Sequence, residues 1–441
     1  MPFLILPRSQ ATSNPIYFLP SWTMYPFSPI LLATIASAAP WGDHQWQHAG
    51  PLDAPDHSYG HNAPHHFGPP FGQHGGGLTS AAYFLDNNPN GSAIVALTVG
   101  SDGLLSDPVR TSTGGYGAIS VNPDGSPRPV DTLSSQGSVT VKGNMLFTIN
   151  SGSNTVVMFN IDSEDPTSLK MVGSPADTMG DVPVSVDYSD ELHTACVLNG
   201  GSKPGVSCFH VDPWKGLVPQ GSLRSLGYDF NQTTPPTAPA GTASQIIFDP
   251  DSKALFAILK GYAGPPAIPG SVVAYKTEYG MVSESPVRTQ IGDIINDFGS
   301  VFLDESRLFM TDVSFGAAIL DVDYGTLTLH EENHIGIEGQ KAICWSAFDP
   351  YLNTAYAPDA GQPVVYTVDA TSGMLTGSIA ADNRTQGLFD TAIGGRGLMY
   401  SLAASNALNV LDLKAQKNVQ YFDLSSVGER MPFTGLALWP N

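Results

Sequence analysis

The apolar residues of this chain recur as pairs of short strands rather than as helical stripes. Each first strand ends in a polar residue, and its partner follows after a polar turn. The later pairs repeat at roughly 45 residues, the length of one four-stranded propeller blade. The pattern predicts an all-β fold, a seven-bladed β-propeller. The first strands centre on Phe84, Phe147, Cys196, Phe256, Phe309, Tyr356 and Tyr400, and their partners end near Leu97, Phe159, Phe209, Tyr275, Leu320, Tyr366 and Leu411.

Further strands flank most of these pairs. Segments such as SQIIFDPDSK precede a pair and segments such as YGTLTLH follow one, with Gly, Pro, Asp and Ser at the turns. The first unit lacks its leading strand, whereas residues 432–441 have the leading-strand pattern with nothing after it. We therefore expect this last segment to join blade 1, which leaves a closed ring with few exposed edges. A length of 441 residues would ordinarily suggest more than one domain, but the unbroken repeat predicts a single propeller over residues 78–441.

The residues before the repeat read as processing and linker segments. A short apolar run after Met24 ends in the small-x-small pattern Ala36-Ser37-Ala38, which predicts an upstream extension plus signal peptide over residues 1–38, with Met24 as the start. The alternative is a buried N-terminal segment. Residues 39–77 are rich in His, Pro and Gly and are expected to form a disordered linker. The alternative there is Zn²⁺ or Cu²⁺ binding by its histidines, which are His44, His48, His57, His61, His65, His66 and His74.

Other features agree with an extracellular protein. Asn90, Asn231 and Asn383 each begin an N-x-S/T sequon in a predicted loop, which predicts N-glycosylation. Cys196 and Cys208 fall on adjacent antiparallel strands, where Cα atoms come within disulfide reach. We predict that they form a disulfide, the alternative being two buried thiols. Cys344 is left over and is expected to be a small buried residue.

Composition and charge narrow the function classes. The chain has 46 Gly and 36 Pro but only 13% charged residues, as expected of a turn-dense all-β protein. Its formal net charge of −21 disfavours binding to nucleic acid or to an anionic membrane. Since the acidic residues are scattered, we expect a soluble, monomeric extracellular protein with a small-molecule or glycan ligand as its partner.

The repeat resembles a known family, the lactonase-type seven-bladed propellers, which include 6-phosphogluconolactonase-like proteins and 3-carboxy-cis,cis-muconate cyclases. ACVLNGGSKPGVSCF around Cys196 and GTASQIIF…ILKG around Gln245 resemble its secreted fungal branch, labelled 3-carboxymuconate cyclase-like. The resemblance covers roughly residues 78–441 and implies cyclase (isomerase) or lactonase activity. Cytosolic cyclases carry a His-containing strand followed by Asp-Leu-Gly-x-Asp-Arg. This chain has no such segment, and LFMTDVSFG keeps only Asp312.

Propeller topology supplies candidate site residues. The starts of the leading strands and the ends of the second strands converge on one face around the channel, where a ligand cup is expected. Asn and Asp at strand ends also satisfy turn backbones, so this alternative stays open for each of them. The ligand-binding candidates are Gln245, Lys260, Asp297, Asp312, Lys341 and Asp359, and the same rim holds Asn150, Asp181 and Asn199.

Chemistry separates the functional hypotheses. A muconate cyclase needs several cations and an acid/base group for a tricarboxylate, whereas a lactone hydrolase needs a base and an oxyanion stabiliser. The rim expected from sequence has two Lys and no Arg. The favoured hypothesis is a secreted lactonase-like or cyclase-like propeller that binds a small anionic or carbohydrate ligand, with catalysis undecided. The alternatives are an active cyclase or lactone hydrolase, and a non-catalytic cell-wall or host-surface protein. No catalytic residue, metal site or cofactor is predicted, and a divalent cation stays an open alternative.

Overall fold

A computed structural model describes residues 80–262, 268–292 and 294–440. The signal peptide and linker expected over residues 1–38 and 39–77 lie outside the described residues. Within the described part, strands dominate, and the one helical element is a short 3₁₀ turn at Gly395–Gly397. No helix among the described residues is long and apolar enough to cross a membrane.

Seven antiparallel sheets form the seven predicted blades. Blade 1 contains β1 (Ser80–Asp86), β2 (Ala93–Val99) and β3 (Leu105–Ser112); blade 2 contains β4 (Val139–Lys142), β5 (Met145–Asn150), β6 (Thr155–Ile161), β7 (Leu169–Met171) and β8 (Ala176–Asp177). Blade 3 contains β9 (Pro183–Ser189), β10 (Thr194–Asn199), β11 (Gly205–Asp212) and β12 (Gly216–Pro219); blade 4 contains β13 (Ala243–Phe248), β14 (Ala254–Leu259), β15 (Ser271–Glu278) and β16 (Met281–Thr289). Blade 5 contains β17 (Asp297–Phe302), β18 (Arg307–Asp312), β19 (Gly316–Asp323) and β20 (Thr328–Gly336). Blade 6 contains β21 (Ala347–Asp349), β22 (Thr354–Pro358), β23 (Val364–Asp369) and β24 (Leu375–Ala380); blade 7 contains β25 (Leu388–Gly394), β26 (Leu398–Ala403), β27 (Ala407–Asp412) and β28 (Lys417–Asp423). The last strand is β29 (Phe433–Trp439).

The C-terminal strand closes the ring, as the sequence predicts. β29 pairs antiparallel with β1 in blade 1, with Ala81 opposite Trp439. The Phe84 and Phe433 rings meet edge to face, with 4.9 Å between their centroids. Because the first and last strands share one sheet, the two ends of the propeller hold each other in place.

Burial follows position within the blade. Every residue of β10 and of β14 is buried, because neighbouring blades cover both faces of these strands. The outermost strands, such as β24, are largely exposed on their outer side. In blade 3 the buried Cys196 and Cys208 lie opposite each other and form the predicted disulfide, with 4.1 Å between their Cα atoms. Cys344 is a free, buried cysteine.

Two connections between blades are much longer than the others. Residues 113–138 link blades 1 and 2, and residues 220–242 link blades 3 and 4. They touch each other, since the Val121 N–H donates to the Pro236 carbonyl at 3.0 Å and the Ala238 N–H donates to the Val121 carbonyl at 2.9 Å. Both lead into an innermost strand, so they meet at the face where the innermost strands begin.

Candidate functional site

A cavity of about 370 Å³ lies on that face. Its walls come from the two long connections and from the beginnings of innermost strands and ends of second strands in blades 4 to 7. This is the part of the ring where the sequence places a ligand cup. We call it the channel cavity; the residues that matter below are Arg128, Asp131, Lys260, Phe298, Trp345 and Phe389.

Three aromatic rings from successive blades form one wall. Phe298 of blade 5 contacts Trp345 of blade 6, and Trp345 contacts Phe389 of blade 7, with 4.8 Å between centroids in both pairs. The indole N–H of Trp345 donates to the Ser135 carbonyl at 3.3 Å, which fixes the ring orientation. The three rings of this aromatic row are almost fully buried, so they form a rigid apolar layer behind the cavity wall rather than an open face.

Lys260 lies at one end of this row. It follows β14, and its side chain is buried. Its Nζ donates to the Ser134 carbonyl at 2.6 Å and to the Ala243 carbonyl at 3.2 Å. It also stands 4.5 Å from the Phe298 ring centroid. An ammonium has three donors, so one N–H is left for the ring face or for a ligand. Burial lowers the Lys260 pKa to about 8, and the negative charge of Asp131 offsets part of that effect.

Asp131 and Arg128 come from the connection between blades 1 and 2. Asp131 is buried, and one of its carboxylate oxygens has no hydrogen-bond partner. Burial raises its pKa, while Arg128, Lys260 and Arg430 act in the opposite direction. Arg128 is half-buried, and only its Nε donates, to the Asp131 carbonyl at 3.4 Å. The terminal amino groups of Arg128 therefore remain available at the cavity.

Arg430 and Asp390 lie at the other end of the aromatic row. The Arg430 guanidinium stands 5.1 Å from the Phe389 ring centroid. It donates to the carbonyls of Ala403 and Phe433, but its second terminal nitrogen has no partner. Burial lowers the Arg430 pKa to about 10. Burial also raises the pKa of Asp390 to about 7, with a smaller contribution from the charge of Asp131.

The positive charges of Arg128, Lys260 and Arg430 lie in the cavity wall or next to it. Within the described part of the chain, none of Arg128, Lys260 and Arg430 forms a salt bridge. Burial raises the pKa of Asp131, and it raises the pKa of Asp390 to about 7, so Asp390 is only partly ionised at neutral pH. The cavity thus contains two cations without salt-bridge partners, Arg128 and Lys260, in a protein of net charge −21.

Gln136 holds in place the connection of residues 113–138, which carries Arg128 and Asp131. The Gln136 backbone N–H donates to the Ser244 carbonyl at 3.0 Å in blade 4. Its side chain donates to the Ser300 carbonyl of blade 5 at 3.2 Å and accepts from the Ser346 N–H of blade 6 at 2.9 Å. Through Gln136 the segment of residues 131–138 is bonded to blades 4, 5 and 6, and these bonds hold the segment that carries Asp131.

Several candidates from the sequence serve the backbone instead. Asp312 accepts from the backbone N–H groups of Ile295 and Asn296, both at 2.8 Å. Asp359 accepts from those of Lys341 and Ala342, also at 2.8 Å. The Asn199 amide donates to the Gly205 carbonyl at 3.3 Å, whereas Asn150 accepts from the Thr113 hydroxyl and Asp181 from the Ser202 hydroxyl. These contacts match the turn-forming alternative.

The remaining candidates, Gln245, Asp297 and Lys341, differ in how deeply they are buried. Gln245 joins blades 4 and 5, since it donates to the Ser300 carbonyl at 2.9 Å and accepts from the Ser300 N–H at 2.6 Å. Asp297 is buried near Lys260, and burial, followed by the charge of Asp312, raises its pKa well above the usual range. Lys341 is exposed and does not line the channel cavity. Of the two candidate lysines, only Lys260 reaches the cavity.

Four charged residues of the site were not predicted from the sequence. Arg128, Asp131, Asp390 and Arg430 lie in connections or at a strand start with no motif around them. One signal was available for the first two, because a structureless connection as long as residues 113–138 is uncommon in a compact domain and is often functional. The described residues contain no group of three or more His, Cys, Asp or Glu arranged to hold a metal ion.

Comparisons with known proteins agree on the fold. No protein-family model and no curated protein sequence matches the chain. Among solved structures, the chain is similar to the periplasmic gluconolactonase PpgL of Pseudomonas aeruginosa, with a TM-score of 0.56 and 15% identity over 81% of this chain and 99% of that one. A candidate 6-phosphogluconolactonase from Bacteroides uniformis gives 0.56 and 13% over the same shares. A protein of unknown function from Desulfotomaculum acetoxidans gives 0.54 and 14% over 81% and 98%. At 13–15% identity, these likenesses show that the chain shares the propeller fold of these structures; they do not identify the cyclase-like fungal branch.

Proposed function

We propose that this protein is a lactonase-like propeller that binds a small sugar acid or its lactone in the channel cavity. The observation that carries the proposal is the combination of an aromatic row with two cations that line the cavity and lack salt-bridge partners, the half-buried Arg128 and the buried Lys260. A volume of about 370 Å³ is within the usual range for small-molecule sites. The rings form a rigid apolar wall, and the cations offer donors for carboxylate, carbonyl and hydroxyl oxygens.

Energetics favour an anionic ligand over a neutral one. Burying a cation is unfavourable unless an opposite charge compensates it. Lys260 is buried without a salt-bridge partner among the described residues, and the nearby carboxyls offset only part of the effect of burial on its pKa. A bound carboxylate would offset part of this cost. A surface partner or a glycan chain is less well supported, since Lys260 is a buried cation that lines the cavity.

Secretion and glycosylation remain part of the proposal. A buried disulfide between Cys196 and Cys208 is typical of proteins from oxidising compartments. The sequon residues Asn90, Asn231 and Asn383 are all exposed, which glycan attachment requires. We propose an extracellular location on these grounds.

Ligand-induced stabilisation tests the proposed binding. We expect gluconate and its lactam analogue to raise the melting temperature of the full chain, because a ligand at 100 times its Kd adds roughly 2.7 kcal/mol. Glucose, which lacks the carboxylate, should have a much smaller effect. The Arg128→Gln variant should bind gluconate about tenfold more weakly, since one charge-assisted contact is lost. Arg384→Gln is the matched control, because Arg384 is exposed and paired with Asp382. Absence of stabilisation by every acid, lactam and lactone would reject the proposal.

A further inference from the structure

The channel cavity also contains a pair suited to catalysis. We propose that Asp131 is a general base and Lys260 an oxyanion stabiliser for lactone hydrolysis. This inference rests on the proposed function, because it concerns the same cavity and the same ligand class. It assigns two residues of this chain to roles in the reaction.

The geometry places the two groups together. Asp131 and Ser134 belong to one tight segment, in which the Ser134 N–H donates to the Asp131 carbonyl at 3.3 Å. The Ser134 carbonyl in turn accepts from Lys260 Nζ at 2.6 Å. Both side chains line the same cavity. A lactone in the channel cavity would therefore have both a carboxylate and an ammonium in its walls.

Asp131 has the features that a base needs. One carboxylate oxygen has no hydrogen-bond partner, although the side chain is buried. Buried polar groups normally have partners, so an orphan at a cavity requires an explanation. A water molecule held between Asp131 and the lactone would be the attacking nucleophile. Burial also raises the pKa of Asp131, which makes its carboxylate a stronger base.

The reaction balances without any other reactant. Asp131 takes a proton from water as the water oxygen bonds to the lactone carbonyl carbon. The carbonyl oxygen becomes an oxyanion and accepts the third N–H of Lys260. The intermediate then collapses, the ring C–O bond breaks, and the departing oxygen takes the proton from the Asp131 carboxyl. The product is a hydroxy acid, which loses its acidic proton to solvent.

The backbone conformation of Asp131 allows a substitution that removes the base and keeps the fold. Its φ is 53°, in the left-handed region, which Asn tolerates better than other non-glycine residues. Asp131→Asn should therefore preserve the fold while it removes the base. Asp124→Asn is the matched control, because Asp124 is exposed in the same connection and bonds only to Ser126.

The experiment measures hydrolysis of glucono-1,5-lactone by the full chain, corrected for the uncatalysed rate. We expect Asp131→Asn to lower kcat/KM by about a hundredfold or more while binding of the lactam stays within about threefold. Lys260→Met should lower kcat by a similar factor. Asp124→Asn should match the wild type.

The pH profile gives a second readout. Activity should rise as Asp131 loses its proton and fall above pH about 8 as Lys260 loses its own. Asp131→Asn should lack the rising limb. The charged and titratable groups that act on Asp131 are Arg128, Lys260, Arg430 and Asp390, with Cys344 beside them. If activity of Asp131→Asn still rises with pH, another of these groups is the base.

The outcomes separate this inference from the proposed function. If the wild type binds the lactam but does not hydrolyse the lactone, the catalytic assignment is wrong and the binding proposal stands. If the wild type neither binds nor hydrolyses, both fail. If Asp131→Asn hydrolyses the lactone within threefold of the wild type, Asp131 is not the base, whatever the lysine variant does.

Discussion

Two cavities of similar size lie at opposite ends of the blade strands and treat charge differently. The first is the channel cavity. The second, of about 400 Å³, lies among the turns of blades 3 to 5 and contains Lys253 and Lys276. Here each lysine has its own carboxylate at 2.6 Å, Asp251 for Lys253 and Glu278 for Lys276, and all four side chains are largely exposed.

The difference shows why size alone does not identify a site. Exposed ion pairs such as Lys253–Asp251 contribute little because water already solvates both partners. They also leave no unsatisfied charge for a ligand. In the channel cavity, Lys260 is removed from water and bonded only to carbonyl groups, so an incoming anion meets a donor that has already lost its hydration. The lysine of the channel cavity is therefore the informative one.

The largest expected effect comes from opening the ring on which the channel cavity depends. Deleting residues 429–441 removes β29 and Arg430, which exposes the edge of β1 and leaves blade 1 with three strands. We expect cooperative unfolding to be lost, as followed by near-ultraviolet circular dichroism during heating.

A point variant gives the milder form of this test. Phe433→Ala keeps the strand but removes the contact with Phe84, and should lower the free energy of unfolding by about 3–5 kcal/mol. A deleted form that melts like the full chain would show that the propeller does not need β29 for closure.

The next effect distinguishes the two lysines by pH. The Lys260 pKa is about 8 in the folded protein, against an ordinary value of 10.5. Between these values the unfolded chain binds more protons than the folded one, so the free energy of unfolding rises with pH. Below pH about 8 the cost of burying the charge is present in full. We expect the wild type to gain about 3 kcal/mol relative to Lys260→Met between pH 8 and 10.5.

Urea denaturation of both proteins at several pH values measures this difference. Groups that titrate in both proteins, such as exposed tyrosines, cancel in the comparison. A difference that does not change with pH would mean that Lys260 is not buried as a cation.

The smallest effect is expected in the second cavity. Lys253→Met removes an exposed ion pair and a distant contact with the Tyr324 ring, 5.2 Å from Nζ. The free energy of unfolding should change by less than about 1 kcal/mol, and binding of gluconate should not change. An effect as large as that of Lys260→Met would remove the contrast between the two cavities.

The blade architecture was predictable because it depends on local, repeated signals. Short apolar strands such as β14 and β18, with turn residues between them, cannot bury their faces except by stacking with similar units. The orphan strand of residues 433–439 needed a partner, and only blade 1 lacked one. The disulfide followed from the same register, since Cys196 and Cys208 occupy opposed positions on neighbouring strands.

The site was only partly predictable, because a channel face brings together residues that are remote in sequence. Lys260 was predicted from its position at the end of a second strand. Lys341 was predicted from its position before a leading strand, but it lies exposed. Strand topology places a residue on a face without determining the direction of its side chain. Asp312 and Asp359 illustrate the same limit, since their carboxylates turn back to nearby N–H groups.

The sequence by itself determined the number of blades, their strand order and the closure of the ring, because hydrophobic periodicity and turn chemistry act over a few residues at a time. Only the tertiary structure decided that Asp131 and Lys260, which are separated by more than a hundred residues, line one cavity. The physical reason is that the long connection of residues 113–138 has no periodicity of its own. Its path is set by hydrogen bonds from Gln136 to blades 5 and 6, which lie 164 and 210 residues later in the sequence.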